Sequence, residues 1–242
     1  MTIRHLLAFE SSGTLGGVAL LREGNLVAEK NLDEGLTHGR LLLPAAETCL
    51  REAGIHASEL AAVAVSAGPG SYTGTRVGVM AAKALAYGLG VPVIGVSSLE
   101  ALAWTAVTDG VVLAVQNARR DEVYAGAYRI EPDGPVSLSE EGAFTPEETV
   151  AKALRWADGG MTLAAGSGVE AYRELFQAAM LSCGCCNRLR LMPMPAGSAE
   201  MVARLGWRRF IAGERDDPLQ LQPRYWRRDG DGGWTKDKAI QS

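Results

Sequence analysis

The chain has 242 residues, a formal net charge of −4 and four cysteines. This length can form one large domain or two small ones with a substantial core, and the negative charge argues against a protein built mainly around nucleic-acid phosphates. The irregular cysteine spacing, the lack of a signal-like start and the lack of an apolar run of about 20 residues favour a soluble, cytoplasmic protein with no membrane segment.

The first part of the chain is predicted to form a mixed sheet that begins with a hairpin and is covered by helices. Short apolar runs indicate the strands, Glu23-Gly24 is the hairpin turn, and Thr37 and Gly54 mark the ends of the first helix. In chain order, the predicted elements are strands at about 5–10, 17–22 and 26–31, a helix at 38–53, a strand at 61–65, a helix at 75–90, a strand at 92–96 and a helix from 97 to about 107.

The strand pattern begins again after Asp109-Gly110, which predicts an N-terminal lobe of residues 1–108 and a smaller C-terminal lobe of residues 109–242. The helices of the second lobe start with capping sequences, of which Thr145-Pro-Glu-Glu is the strongest. The predicted elements of this lobe are strands at 111–115, 122–130 and 161–165 and helices that begin after Thr145, Ser167 and Ser198, the last reaching about Ala212. Both lobes are therefore α/β.

The most informative segment is GPGSYTGTR, residues 68–76, between a predicted strand and a predicted helix. Helix N-termini in this setting can bind phosphate. However, Gly74 is followed by Thr-Arg and not by the Lys-Ser/Thr of a P-loop, and the second gap between the glycines is one residue too long for a dinucleotide-binding fingerprint. The pattern favours close packing of the loop over phosphate binding.

The first two helices of the first lobe carry apolar residues over more than one face, and Lys83 is the only charge from Val77 to Leu89. Such an apolar surface usually marks an interface. A charge at Val79 is accordingly predicted to abolish partner binding without unfolding the chain. The predicted partner surface consists of Leu42, Ala46 and Cys49 in the first helix and Val79, Met80, Lys83 and Tyr87 in the second.

No catalytic or metal-binding pattern is recognisable in the sequence. His5, His38 and His56 are scattered, and no nucleophile stands in an identifiable relation to a general base. Cys183-Gly-Cys-Cys186 lacks the second cysteine pair or nearby histidine that a four-ligand site needs. We therefore predict that no metal is bound and that these cysteines lie in a reduced surface loop.

Three motifs together resemble the bacterial TsaB (YeaZ) family, a glycoprotease-type branch of the actin, sugar-kinase and heat-shock ATPase superfamily. They are GPGSYTGTR at 68–76, ARRDEVY at 118–124 and PRYWR at 223–227, so the resemblance covers nearly the whole chain. It implies two ribonuclease-H-like lobes, the second of them truncated. Glu10, Asn117 and Trp226 depart from the family pattern, which usually has Asp, Asp and Leu there.

The resemblance implies a non-catalytic subunit in tRNA threonylcarbamoyladenosine modification. Its main partner would be the catalytic sibling TsaD, joined by the small ATPase TsaE, with tRNA bound through the complex and a homodimer forming when TsaD is absent. The sibling holds its metal with an H-x-x-x-H helix, whereas here His38 is followed four residues later by Leu42. No tightly bound cofactor is implied, and ATP or ADP would bind only at the partner interface.

The superfamily's nucleotide site also identifies candidate contacts for a nucleotide or for tRNA. Glu10 and Ser11 lie in a turn that is either a remnant of that site or an ordinary strand-end turn, and the pattern favours the ordinary turn. Arg119, Arg227 and Arg228 are candidate phosphate contacts, although cationic chain ends are usually solvated. Two alternatives remain open: a small ATP-dependent phosphotransferase, with Glu10 holding Mg²⁺, and a metalloprotease.

Overall fold

The computed structural model describes residues 3–32, 38–106, 110–156, 160–192, 197–228 and 234–236. The chain divides into two compact units. The first contains the chain up to Ala101 together with Gly197–Pro223, and the second contains the segment that begins at Leu102 and the chain from Arg224. The predicted boundary at 108 lies near Ala101, where the chain first passes from one unit to the other. However, the units are not two consecutive parts of the sequence, because the chain returns to the first unit at Gly197.

The first unit is built on a five-stranded mixed sheet. Its strands are β1 (His5–Glu10), β2 (Gly16–Arg22), β3 (Asn25–Leu32), β4 (Leu60–Ser66) and β5 (Val93–Val96). They lie in the order β3-β2-β1-β4-β5, with β1–β3 antiparallel and with β4 and β5 parallel to β1. β1 is buried at every position, which explains why the four residues between His5 and Glu10 are all apolar and do not alternate with polar ones.

Helices cover both faces of this sheet. Leu7, Phe9 and Val63 point toward α1 (His38–Ala53) and α2 (Tyr72–Leu89), with which they form one apolar cluster. On the opposite face, Ala64 and Leu6 contact Gly206 of the last helix of the described ranges. The intervening helix α3 (Ser98–Thr105) follows β5, as predicted.

The last helix of the described ranges, Ala199–Ile211, packs on the sheet of the first unit. Ser198 caps its start by accepting a hydrogen bond from the N–H of Met201 at 3.2 Å. Near its end, Arg209 donates to the carbonyl of Gly95 at 2.8 Å and to Glu100 at 3.0 Å. The extent of this helix agrees with the prediction, but its assignment to the second lobe is corrected: its apolar stripe is buried against the first sheet.

The second unit repeats the strand order of the first. Its strands are β6 (Gly110–Arg119), β7 (Glu122–Glu131), β8 (Gly134–Ser137), β9 (Gly142–Phe144), β10 (Thr162–Ala165) and β11 (Leu189–Met192). Its helices are α4 (Pro146–Trp156), α5 (Ser167–Ala171) and α6 (Arg173–Cys183). The Ala199–Ile211 helix, which belongs to the first unit, is labelled α7. The order is β11-β10-β6-β7-β8. β6, β7 and β8 are antiparallel neighbours, β10 and β11 are parallel to β6, and β9 pairs with β7.

The two sheets have the strand order expected of two ribonuclease-H-like lobes, so the predicted α/β fold is confirmed. Sequence analysis missed the three- and four-residue strands β8, β9 and β11, which are too short to show a period. A further pair of short strands, β12 (Trp226–Arg228) and β13 (Trp234–Lys236), follows near the end. No helix in the described ranges has the length and apolar character needed to cross a bilayer.

Candidate functional site

The carboxyl ends of the parallel strands β1 and β4 meet at one edge of the first sheet, where Glu10 and Ser66 lie. Glu10 is only 1% exposed, and its Oε1 accepts hydrogen bonds from the backbone N–H of Ser12 at 2.5 Å and from the Ser12 hydroxyl at 2.7 Å. The Ser66 hydroxyl donates to Ser12 Oγ at 3.0 Å. Burial raises the pKa of Glu10, and the hydrogen bonds from Ser12 act in the opposite direction.

The glycine-rich loop packs directly on the turn that contains Ser11 and Ser12. The N–H of Ser71 donates to the carbonyl of Ser12 at 2.7 Å, and the Ser11 hydroxyl donates to the carbonyl of Gly74 at 2.7 Å. A side chain at Gly70 or Gly74 would overlap those serine carbonyls. The glycines therefore allow close backbone contact, which is the role that the sequence pattern favours.

Both ends of the glycine-rich loop are held by further hydrogen bonds. The Ser98 hydroxyl donates to the carbonyl of Pro69, which follows a cis peptide bond, and the Ser98 N–H donates to Gly68. Ser71 caps α2 by accepting from the N–H of Gly74 at 3.2 Å. The loop thus fixes the start of α2 relative to β1.

Four of the seven residues predicted for the partner surface are buried in the core of the first unit. They are Leu42, Ala46, Cys49 and Val79. For these four the prediction was wrong: they form the faces of α1 and α2 that pack on the sheet. An all-round apolar helix does not reveal in its sequence which stripe faces inward.

The other three predicted residues lie toward the outer face of α2. Met80 is 63% exposed and Tyr87 is 69% exposed, while Lys83, between them, is partly covered. Tyr72 and Arg76 extend this stripe at four-residue spacing, and the Arg76 guanidinium stacks 3.9 Å from the centre of the Tyr72 ring.

Lys83 holds a C-terminal segment of the first unit against α2. Its ammonium donates to the carbonyl of Leu221 at 2.9 Å and to that of Leu219 at 3.4 Å. Leu221 packs into the core against Gly95, whereas Leu219 is 67% exposed.

On α1, Leu41 and Leu43 are also exposed. We refer to Met80, Tyr87, Leu219, Leu41 and Leu43 as the outer apolar residues.

Sequence analysis did not find Tyr72, Arg76, Leu41, Leu43 or Leu219 as surface residues of this region. The spacing of Tyr72 and Arg76 with Met80 is a usable signal, because residues four apart on a helix share a face. Leu219 carries no such signal, since it lies in a loop 136 residues from Lys83 in sequence. Only the folded chain brings the two together.

The candidate phosphate contact Arg119 belongs to the second unit, at the turn between β6 and β7. Arg119, Arg120 and Asp121 have φ values of 67°, 53° and 61°, and the turn is held by Asn117 Oδ1, which accepts from the N–H of Arg119 at 2.7 Å. Arg119 is exposed. Arg227 and Arg228 lie in β12, and their side chains, like that of His38, lie outside the described parts of the structure.

The cysteines of the predicted surface loop differ in exposure. Cys183 and Cys186 are exposed and Cys185 is buried. Across the described parts of the chain, no group of three or more His, Cys, Asp or Glu side chains is arranged to hold a metal ion.

Comparison with known proteins identifies the family. A family model for TsaD, tRNA N6-adenosine threonylcarbamoyltransferase, matches residues 35–182. The protein named TsaB of Escherichia coli is 31% identical over 173 residues, which cover 70% of this chain and 74% of that protein. This chain belongs to the TsaB/YeaZ family. The TsaB of Bacillus subtilis is 37% identical over 144 residues, a match that covers 56% of this chain and 63% of that protein, less than two thirds of its length.

A solved structure also belongs to this TsaB/YeaZ group. YeaZ from Pseudomonas aeruginosa superposes with a TM-score of 0.78 at 29% identity, covering 92% of this chain and 99% of that chain. The resemblance seen in the three sequence motifs is therefore confirmed, and the family's fold extends over both units.

Proposed function

We propose that this chain is a non-catalytic subunit that binds a TsaD-type transferase and supports threonylcarbamoyl transfer to the adenine beside the tRNA anticodon. The E. coli and B. subtilis relatives are named tRNA threonylcarbamoyladenosine biosynthesis proteins, and the matching family model describes the transferase. The observation that carries the proposal is the exposed apolar surface of α1 and α2 in a chain of this family.

The exposed face of α2 has the composition of a binding surface. Methionine, tyrosine and arginine are enriched at protein interfaces, and Met80, Tyr87 and Arg76 lie along one side of α2. Lys83, the only charge in the middle of this helix, directs its ammonium to the carbonyls of the 219–221 segment. Covering a large apolar side chain such as Met80 contributes about 1.5–3 kcal/mol.

The occupant of this surface is the corresponding helix pair of the transferase. When the transferase is absent, a second copy of this chain occupies the same surface and forms a two-fold homodimer. TsaE and tRNA join through the assembled complex, and ATP or ADP binds only at the interface with the partner. The complex operates in the cytoplasm.

The environment of Glu10 supports a non-catalytic role over the phosphotransferase alternative. A phosphotransferase would need the carboxylate of Glu10 to reach Mg²⁺, but Glu10 is buried and accepts hydrogen bonds from Ser12. Gly197, where the chain enters α7, also lies close to the Glu10 side chain. Through these hydrogen bonds the Glu10 side chain holds the strand-end turn on which the glycine-rich loop packs.

The test is reconstitution with TsaD and TsaE from the same organism, supplied with tRNA, ATP and a threonylcarbamoyl-adenylate donor. The complete mixture is expected to modify tRNA, and omitting this chain should abolish the modification. Met80→Glu should lower affinity for TsaD at least tenfold while the chain stays folded. Leu181→Glu is the matched control, because Leu181 is 73% exposed but lies in α6 of the second unit.

Three results would contradict the proposal. They are modification that does not depend on this chain, TsaD binding by Met80→Glu equal to that of Leu181→Glu, and a chemical activity of the isolated chain. Phosphoryl transfer from ATP would favour the phosphotransferase, and peptide cleavage stopped by a chelator would favour the metalloprotease.

A further inference from the structure

The C-terminal end of α6 brings two cysteines to one backbone carbonyl. Gly184, at φ 65°, ends the helix in a left-handed conformation, and the N–H of Cys185 donates to the carbonyl of Met180 at 3.0 Å. The thiols of Cys183 and Cys185 point to that same oxygen, with Sγ–O distances of 3.4 Å and 3.7 Å. The two sulfurs therefore converge on one atom.

The two thiols are also close enough to influence each other's protonation. Burial, and after it the neighbouring Cys183 thiol, raises the pKa of Cys185 to about 11. Cα atoms separated by one bent residue fall within the range of about 4.4–6.8 Å that disulfides usually bridge. A disulfide between these two residues is therefore within reach of the local backbone.

The two thiols differ in their access to solvent. Cys183 is exposed at the helix end, whereas Cys185 is 2% exposed and packs in the core of the second unit with Phe176 and Leu189. A dissolved oxidant therefore reaches Cys183 first. Cys186 is also exposed and is the competing second thiol.

We propose that Cys183 and Cys185 form a dithiol modification site that hydroperoxides convert into a disulfide. The Cys183 thiolate attacks the peroxide oxygen, so that an S–O bond forms, the O–O bond breaks and hydroxide leaves as water after taking a proton. The Cys185 sulfur then attacks the sulfur of the resulting sulfenic acid. The S–S bond forms, the S–O bond breaks, and a second water leaves with the thiol proton.

The helix end can survive this oxidation. The backbone hydrogen bonds from Gly184 to Leu181 and from Cys185 to Met180 do not involve the sulfurs. Closing the disulfide removes the two S–H donors from the Met180 carbonyl but leaves its backbone partner. The modification is therefore expected to be reversible by a thiol reductant without unfolding the second unit.

The experiment uses the full chain, reduced and then exposed to a small excess of hydrogen peroxide, with intact-mass and peptide analysis. Wild type and Cys186→Ser should lose two hydrogens per chain, with the bond mapped to Cys183 and Cys185, and dithiothreitol should reverse the change. Cys185→Ser should form an internal disulfide at least tenfold more slowly and accumulate oxygen adducts on Cys183.

Two results would overturn the proposal. If Cys185→Ser closes a disulfide as fast as wild type, Cys186 is the second thiol. If wild type and Cys186→Ser only add oxygen atoms, the pair does not function as a dithiol. A far-ultraviolet circular dichroism spectrum of each serine variant establishes that it is folded before the comparison.

Discussion

The ammonium of Lys83 lies 2.9 Å from the carbonyl oxygen of Leu221, which ties the middle of α2 to a segment near the other end of the chain. The same ammonium reaches the carbonyl of Leu219, whose side chain is exposed. Lys83 was predicted to contact the partner. Its hydrogen bonds instead favour a positioning role, in which it holds Leu219 beside the outer face of α2.

The first prediction tests this positioning role. Lys83→Met keeps most of the apolar stem but removes the donors, so it should weaken TsaD binding by about 1 kcal/mol, the usual contribution of such hydrogen bonds. Leu219→Ala should weaken binding by a similar amount. If Lys83 acts through Leu219, titration calorimetry will give a double variant little weaker than either single one. Fully additive losses would mean that Lys83 contacts the partner itself.

The second prediction concerns Val79, which is buried against the first sheet. Val79→Glu places an unpaired charge in the core and should destabilise the chain by several kcal/mol, so that most of it unfolds. This outcome replaces the expectation from sequence of a folded but non-binding variant. Chemical denaturation of Val79→Glu beside Met80→Glu tests it, and similar unfolding midpoints for the two variants would place Val79 on the surface.

The third prediction concerns the pH dependence of stability. Burial raises the pKa of Glu10 above its ordinary value of 4.5, so the folded chain binds the proton more tightly than the unfolded chain. The free energy of unfolding therefore falls as pH rises from about 4.5 through the raised pKa. Glu10→Gln keeps an acceptor for Ser12 and removes this titration.

The measurement is urea denaturation of wild type and Glu10→Gln between pH 4.5 and 8. The variant should gain stability relative to wild type as pH increases, and the difference cancels contributions from other carboxylates such as Glu29, whose pKa is also raised by burial. Parallel stability curves for the two proteins would show that Glu10 does not titrate abnormally.

The fourth prediction concerns the glycine-rich loop. Gly74→Ala places a methyl group against the carbonyl of Ser11 and should destabilise the chain by about 1–3 kcal/mol. Gly88→Ala is the matched control in the same helix, because nothing lies within 4 Å of that position, and it should stabilise the helix by about 0.5 kcal/mol. Thermal unfolding compares them; equal midpoints would mean that the loop adapts to a side chain.

The fifth prediction concerns tRNA. We expect reversal of the charges at Arg227 and Arg228 to leave folding intact, because the sequence predicts a solvated cationic cluster and solvated charges rarely change stability by more than ~0.5 kcal/mol. The assembled complex should then bind tRNA more weakly, with a shallower salt dependence, because fewer phosphates are neutralised. Arg119→Glu should act in the same way. Unchanged binding at both low and high salt would leave these arginines as solubilising residues only.

Local sequence patterns determined most of the elements and the family. The helix caps at Thr145 and Ser198, the hairpin turn at Glu23-Gly24 and the strand runs depend on neighbouring residues, so they can be read without the fold. The three motifs are equally local. Met80 and Tyr87 could be placed on one helix stripe because periodicity defines stripes.

Tertiary structure alone decided which stripe faces solvent and which distant segments meet. α2 is apolar on several sides, so its period shows which residues share a face but not which face points toward the core. Val79 lies on the face that packs on the sheet. α7 packs on the first sheet, and Leu219 reaches Lys83, through contacts between residues more than 100 positions apart. Such contacts depend on the burial of complementary surfaces across the folded chain, and no local pattern of residues records them.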